Sequence, residues 1–231
     1  MAKQISFDEE ARRKLESGMN QLAERRQEEK ERRRSEILDA AEAVAAEAGI
    51  DSMTMDEVAR KARLSRALLY VYFQDRSDLL LAICERALLN LHGRFKAAAR
   101  EHASGREQIG AIGRAFVTFS REQPVHYDAL TKFAMRSSAG LGDHPNELAC
   151  LQHGDRVHEV LVASIGQGMR DGSIRADAGP PGLVGLTLWG YMLGIIQLAT
   201  TKAAVIEHRG FNAERLIDEA LRLATHALAP P

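Results

Sequence analysis

The chain has 231 residues, with 31 Lys and Arg against 32 Asp and Glu, and two cysteines. That length can bury a substantial core without covalent staples, and the near-neutral balance excludes a partner selected by overall charge. With only two cysteines, Cys84 and Cys150, and no close spacing, neither a disulfide framework nor a cysteine-based zinc site of the usual kind is expected. No phosphate-binding loop, dinucleotide turn, nucleophile elbow or HExxH helix is present, so neither a metal nor a cofactor is expected and a helical enzyme is the weak alternative. The charged start has no apolar secretory core, which predicts a cytoplasmic protein.

Residues 1–30 read as a charged extension, densest at RRQEEKERRR. Phe7, Ala11, Leu15, Met19 and Leu22 make a narrow apolar stripe, and Glu28–Arg32 and Glu29–Arg33 are spaced as i,i+4 pairs. A solvated helix is expected, with an arm touching DNA or another subunit as the alternative. Residues 35–48 then put Ile37, Leu38, Ala41, Val44, Ala45 and Ala48 on one helical face, stopped by Gly49. Thr54 and Glu57 form a capping box that opens a second helix, with Met55, Val58, Ala59 and Ala62 inward. After a turn at Arg63 and Leu64, Ser65 caps a third helix ending near Phe73, with Leu69 and Phe73 inward. Asp75 caps a fourth, with Leu79, Leu80, Ile83, Ala87, Leu88 and Leu91 buried.

A second capping box, Ser104 with Glu107, opens a helix to about Glu122, and Pro124 begins the next. The loose stretch SSAGLGDHP leads to a helix carrying Gly154, Val157, Leu161, Ile165 and Met169 on one face. Residues 178–201 contain no charge. Their length approaches a membrane span, but Gln197, five glycines and the lack of a basic flank favour a buried core or interface helix. The last helix starts at Asn212 and shows Leu216, Ile217, Ala220, Leu223, Ala224, Ala227 and Leu228. The pattern is all-α, about nine helices: an extension over 1–30, a three-helix helix-turn-helix domain over 31–78, and a larger helical domain over 79–231.

The segment VARKARLSRALLYVYF, residues 58–73, carries Arg60, Lys61, Arg63 and Arg66, with no acid between Glu57 and Asp75. In a helix-turn-helix the second paired helix enters the major groove with its N-terminal residues at the base edges. Here that helix starts at Ser65, and with Leu69 and Phe73 inward it leaves Ser65, Arg66, Ala67, Leu68, Tyr70, Val71 and Tyr72 outside. Cations neutralise phosphates, tyrosine hydroxyls donate to phosphate oxygens, and Arg66 has the reach for guanine.

Residues 35–80 resemble the N-terminal domain of the tetracycline-repressor (TetR) family. The resemblance rests on Ile37-Leu38-x-Ala40-Ala41, Gly49, Thr54, Val58-Ala59, Leu64-Ser65, Leu69-Tyr70, Tyr72-Phe73, Arg76 and Leu79. It implies a homodimeric regulator, usually a repressor, that binds palindromic operator DNA and lets go when a small-molecule effector enters the C-terminal domain. It implies phosphate contacts at Thr54, Tyr70, Tyr72 and Arg76, and base contacts at Arg66 and Ala67. Three positions depart from the family pattern: Arg63 stands at the usual turn glycine, Ala67 at the usual early glycine, and Leu68 at a usual small polar residue.

The wide apolar faces of the last two helices, with Gly182, Gly190 and Gly194, predict a two-fold four-helix dimer interface. The large and polar side chains between residues 80 and 200 supply an effector-pocket set: Phe116, Phe119, Tyr127, Phe133, His153, Arg156, Trp189 and Met192. Arg156 would face an anionic ligand. A response to thiol oxidation through Cys84 or Cys150 is the alternative trigger.

Overall fold

Leu69 and Phe73, one helical turn apart in the sequence, are both fully buried, and the N-terminal domain is built around them. The computed structural model describes the backbone of residues 2–136 and 145–231, and side chains of residues 20–136 and 146–231. The stripe residues Phe7, Ala11, Leu15 and Met19, and the whole SSAGLGDHP stretch, lie outside those side chains. The chain divides into two compact units, Met1–Arg76 and Ser77–Pro231. All regular elements among the described residues are helices, and there are ten rather than nine.

In the first unit α1 runs unbroken over Ala2–Ala48, so the charged extension and the first core helix are one element, about 70 Å long at 1.5 Å per residue. Residues 20–32 are exposed, as a helix with no apolar stripe there must be. From Ile37 onward the helix buries Ile37, Leu38, Ala41, Val44 and Ala45. It ends at Gly49, whose φ of 85° is open to a residue without Cβ. Helix α2 (Met55–Lys61) follows the Thr54–Glu57 capping box, in which each residue's side chain meets the other's backbone N–H. It buries Met55, Val58 and Ala59. Arg63 adopts φ 56°, the left-handed conformation expected where glycine is usual. Ser65 then caps α3 (Arg66–Tyr72), its side chain accepting from the Leu68 N–H.

The second unit holds most of α4 (Arg76–Arg100), then α5 (Gly105–Glu122), α6 (Pro124–Ala134), α7 (Pro145–Asp171), α8 (Pro181–Thr201), α9 (Ala203–His208) and α10 (Ala213–Ala227). Along α4 the inward positions include Leu79, Leu81, Ile83, Cys84, Ala87, Leu88, Leu91 and Phe95, with Leu81 taking the place expected of Leu80. Helix α5 packs on α7, and α7 and α10 both pack on α8. At the α5–α7 crossing a Cβ on Gly105 would lie 2.1 Å from the Gly168 backbone nitrogen, so glycine is required for the helices to close. Helix α9 escaped the sequence reading because it has six residues and buries only Ile206.

The uncharged helix α8 is long and apolar enough, by length and composition, to cross a membrane, and is alone in this among the described residues. Within the chain it buries Gly185, Met192, Ile196 and Ala199, while Leu183 and Leu186 remain about 60% exposed. On α10 only Ile217 and Ala220 are buried, and Leu223 faces out. Of the two alternatives, core or interface helix, full enclosure in the core is not what α8 shows within this chain: one side is packed and the other is exposed.

Candidate nucleic-acid interface

The interface is assembled by two short helices. The α2 cap fixes the start of α2, the left-handed Arg63 reverses the chain, and the Ser65 cap starts α3 with only residues 62–65 between the two helices. Leu69 and Phe73 anchor α3 inward, which turns Arg66, Ala67, Leu68, Tyr70 and Val71 outward. Tyr72 is half-buried. Val71, 70% exposed, is a large apolar group with no packing role, and its position on the outer face makes it a contact candidate beyond the family pattern.

Arg66 is held from two sides. Its Nε lies 3.2 Å from Asp56 Oδ1, Nη2 donates to the Tyr70 hydroxyl at 3.5 Å, and the guanidinium sits 5.7 Å from the Tyr70 ring centroid. The stretch that looks free of acid in sequence therefore has an acid beside it in space. Lys61, at the end of α2, is paired with Glu47 at 2.6 Å.

Two of the expected phosphate-binding residues carry structural duties. Thr54 Oγ1 donates to Glu57 Oε2 at 2.6 Å and accepts from the Glu57 N–H at 3.3 Å. The Thr54 hydroxyl, and after it the Thr54 backbone N–H, which donates to Glu57 Oε2 at 2.9 Å, hold the Glu57 carboxyl below the ordinary carboxylate range. Arg76 Nε donates to the Met53 carbonyl at 2.8 Å, and Nη2 to those of Ile50 and Asp51 at 2.7 and 2.9 Å. Arg76 thus pins the loop that leads into α2.

In the second unit the expected pocket residues divide. Phe116 stacks on Trp189 with centroids 4.9 Å apart, meets Phe95 edge-on and tilts against Tyr127. Phe116, Trp189 and Met192 line a cavity of about 30 Å³ together with Ile112, Leu161 and Leu188. That is room for about one water, far below the several hundred Å³ of a small-molecule site. Tyr127 donates its hydroxyl to the Leu193 carbonyl, and burial pushes its phenol up. Phe119 stacks on His126 instead, under the Arg94 guanidinium. Phe133 is half-buried, and His153 approaches Glu85 at 3.7 Å. Arg156 lies in a different place, an open groove between α4 and α7.

Cys84 and Cys150, distant in sequence, are neighbours and both buried. Their mutual hydrogen bond, then burial, pushes the Cys84 thiol up. Cys150 Sγ donates to the Leu81 carbonyl at 3.1 Å. Thiolate is the reactive form, so this pair behaves as packed core and gives the oxidation reading no support. No group of three or more potential metal ligands occurs among the described residues.

Comparison with known proteins agrees with this architecture. Residues 37–83 match the family model of bacterial regulatory proteins of the tetR family. Residues 109–224, half of the chain, match that of the tetracyclin repressor-like C-terminal domain. The transcriptional activator FasR of Mycolicibacterium smegmatis is 32% identical over 90 residues, covering 39% of this chain and 41% of FasR. The transcriptional repressor KstR of the same organism is 29% identical over 123 residues, 50% of this chain and 58% of KstR. The match thus spans about half the length of these relatives. The regulator FadR of Bacillus subtilis, solved in complex with stearoyl-CoA, superposes with a TM-score of 0.63 over 84% of this chain and 98% of that one. At 16% identity this likeness carries the fold alone. With one family model on the helix-turn-helix and another on half of the chain beyond it, the protein belongs to the TetR family of bacterial regulatory proteins.

Proposed function

We propose that the protein is a cytoplasmic, ligand-responsive transcriptional regulator without enzymatic activity. It binds a palindromic operator as a homodimer, acts most naturally as a repressor, and is released by a small-molecule effector. The observation that carries this reading is the outer face of α3, where Arg66, Ala67, Leu68 and Tyr70 project from a helix whose other side is locked by Leu69 and Phe73. Arg66 reads a base, Ala67 and Leu68 pack on thymine methyls, and Tyr70, Tyr72 and the Ser65 hydroxyl fix the register on phosphates. Thr54 and Arg76 support this face through the α2 cap and the loop before it.

The homodimer forms through α8 and α10. Leu183, Leu186, Leu198 and Leu223 are exposed on these helices, and a groove of about 680 Å³ runs between them, lined by Leu183, Val184, Tyr191 and Leu223. Two copies related by two-fold symmetry would cover that surface. Leu186→Glu is expected to sediment as a monomer at micromolar concentration; an unchanged dimer would place the interface elsewhere.

The effector enters around Phe116, Trp189 and Met192. Because the cavity there is almost filled, binding requires a second, more open state, and the effector's preference for that state drives release. Helix α4 begins in the first unit and continues through the second, a covalent path for the response.

Selection of bound fragments from genomic DNA, followed by titration of wild type, Arg66→Ala and Tyr70→Ala, tests the reading. A palindromic site and losses of about ten- to a hundredfold for Arg66→Ala are expected. Undiminished affinity in both variants would overturn it.

A further inference from the structure

The groove between α4 and α7 has a volume of about 500 Å³. One wall is His92, Lys96, Ala99 and Arg100, spaced i, i+4, i+7, i+8 along α4. The other is a matching face of α7 that carries Arg156, Gln167 and Arg170. Ala99 and Ala163 are too small to fill the space, and the Ser164 side chain between the walls is buried. Four permanent cations therefore face a concave space that holds a single carboxylate, Glu159.

Elsewhere in the second unit four arginines hold a carboxylate, while Arg106, Arg114 and Arg209 stand singly on the open surface. Arg94 holds Glu122 at 2.6 Å, Arg121 holds Glu214 at 2.8 Å, and Arg175 and Arg222 each hold a carboxylate at 2.6 Å. Among the described residues no salt bridge holds Lys96, Arg100 or Arg156. His92, on the same wall, is held below the ordinary histidine range by desolvation first and then by Lys96, Arg156 and His153, with Glu159 acting in the opposite sense. The charges lining the groove sum to a positive value despite Glu159. Unmatched like charges on two packed helices repel, and an anion between them removes the repulsion.

We propose that this groove binds a phosphate-bearing small molecule, with Lys96, Arg100, Arg156 and Arg170 as partners of the anionic oxygens. Guanidinium forks suit the paired oxygens of a phosphate, and Lys96 adds a point charge. More than one negative charge is called for, because the cations stand on both walls. The volume admits a diphosphate or a phosphate ester with a small polar body. The site is separate from the apolar cavity around Phe116, with which it shares no lining residue.

Isothermal titration of the full chain with inorganic phosphate, pyrophosphate and ADP tests this. Pyrophosphate is expected to bind saturably, one per chain, and more tightly than inorganic phosphate. A further gain with ADP identifies an organic phosphate as the natural ligand; no gain identifies a free polyanion. The double variant Lys96→Gln/Arg156→Gln is expected to weaken pyrophosphate by about tenfold or more. Its unfolding midpoint should hold or rise, since like charges are removed. Lys202→Gln/Arg209→Gln, which removes two exposed cations elsewhere, should bind as wild type does. Absence of saturable binding by pyrophosphate and ADP, or equal binding by the two double variants, would overturn the proposal. Operator titration is run separately: a protein that binds DNA but no anion loses only the groove, and one that binds the anion but no DNA loses only the regulator reading.

Discussion

Arg66 Nε lies 3.2 Å from Asp56 Oδ1, so the strongest candidate for a base contact is tethered to the first turn of the preceding helix. The pair has two opposite effects. It orients the guanidinium towards Tyr70 and keeps it from collapsing onto the protein, and it sets a negative charge where a phosphate backbone would approach. Exposed ion pairs hold little energy and are screened by salt, so the repulsion of DNA by Asp56 outweighs the loss of orientation. Asp56→Asn is expected to bind operator about two- to fivefold more tightly, an effect of the size of one exposed ion pair. The gain should shrink as salt is raised, and fluorescence anisotropy at two ionic strengths measures it. Weaker binding would show that the tether's orienting role dominates.

The turn between α2 and α3 stores strain in one residue. Arg63 sits at φ 56°, and its side chain is exposed. A left-handed residue with a Cβ costs about 1–2 kcal/mol, while glycine brings an entropic penalty of about 0.5–1 kcal/mol. Arg63→Gly should therefore stabilise the first unit by about 0.5 kcal/mol in urea denaturation. DNA affinity should fall slightly at low salt, because a cation near the interface is lost. A destabilised variant would mean that the turn is not strained.

The contact of α5 with α7 gives a sharper contrast. At Gly105 a methyl group would meet the backbone of Gly168 at 2.1 Å and the Ser164 carbonyl oxygen at 2.3 Å. Backbone cannot rotate away, so Gly105→Ala must force the helices apart, at a cost of about 3 kcal/mol or more. At Gly110, on the same helix, the nearest atom to a new methyl is the Thr225 side chain at 3.4 Å, an ordinary contact. Gly110→Ala should be neutral or mildly stabilising, since alanine is the better helix former. Thermal melts of the two variants side by side decide the matter.

Most of the first unit was legible in the sequence because its signals are local. Thr54 with Glu57, Ser65 before α3 and the glycine-like position at Arg63 each act within one turn of chain, and each has the geometry its spacing predicts. What the sequence hid arises from distance along the chain. Asp56 lies outside the acid-free window but against Arg66 once α2 and α3 pack. Arg76 matches a phosphate-binding position by resemblance, yet the carbonyls of Ile50, Asp51 and Met53 claim it. In the second unit Phe116, Trp189 and Met192 of the expected pocket converge by burying apolar surface together, while Phe119 finds a separate burial site against His126. Arg156 does not join them, because a charged side chain on α7 follows water rather than the cavity, and His153 turns to Glu85 instead. The α4–α7 groove needed the fold to bring Lys96 and Arg156 to one concave surface.

The caps also predict how stability follows pH. Glu57 and Glu107 are both held below the ordinary carboxylate value of 4.5, by hydrogen bonds to Thr54 and Ser104 respectively. A carboxyl depressed in the folded state binds fewer protons there than in the unfolded chain, so stability rises with pH across that interval. The contribution is complete above the unfolded value and disappears as pH falls through the lower, folded one. Urea midpoints from pH 7 to pH 3 should therefore decline chiefly below about pH 4.5, the unfolded carboxylate range. Glu57→Gln with Glu107→Gln should flatten that decline while lowering the midpoint at pH 7. A slope unaltered by the double substitution would assign acid sensitivity to other carboxylates.

Phe116 is the residue on which the apolar centre of the second unit turns. It is buried, stacks on Trp189 at 4.9 Å and borders the cavity of about 30 Å³. Truncation to alanine removes a ring from a packed site and enlarges that cavity, at a cost of about 3–5 kcal/mol. An apolar cavity of this kind stays dry and accepts a small aromatic molecule. Phe116→Ala should therefore unfold at lower urea than wild type and regain part of the difference in the presence of benzene, which fills the vacated volume. Trp189 is the only tryptophan, so its emission reports the loss of the stacked ring and the arrival of the ligand. Recovery by benzene in the variant but not in wild type would show that the walls hold their positions when the ring is gone. If benzene leaves both the midpoint and the emission unchanged, the surrounding helices have collapsed into the gap, and the proposed effector site around Phe116 fails.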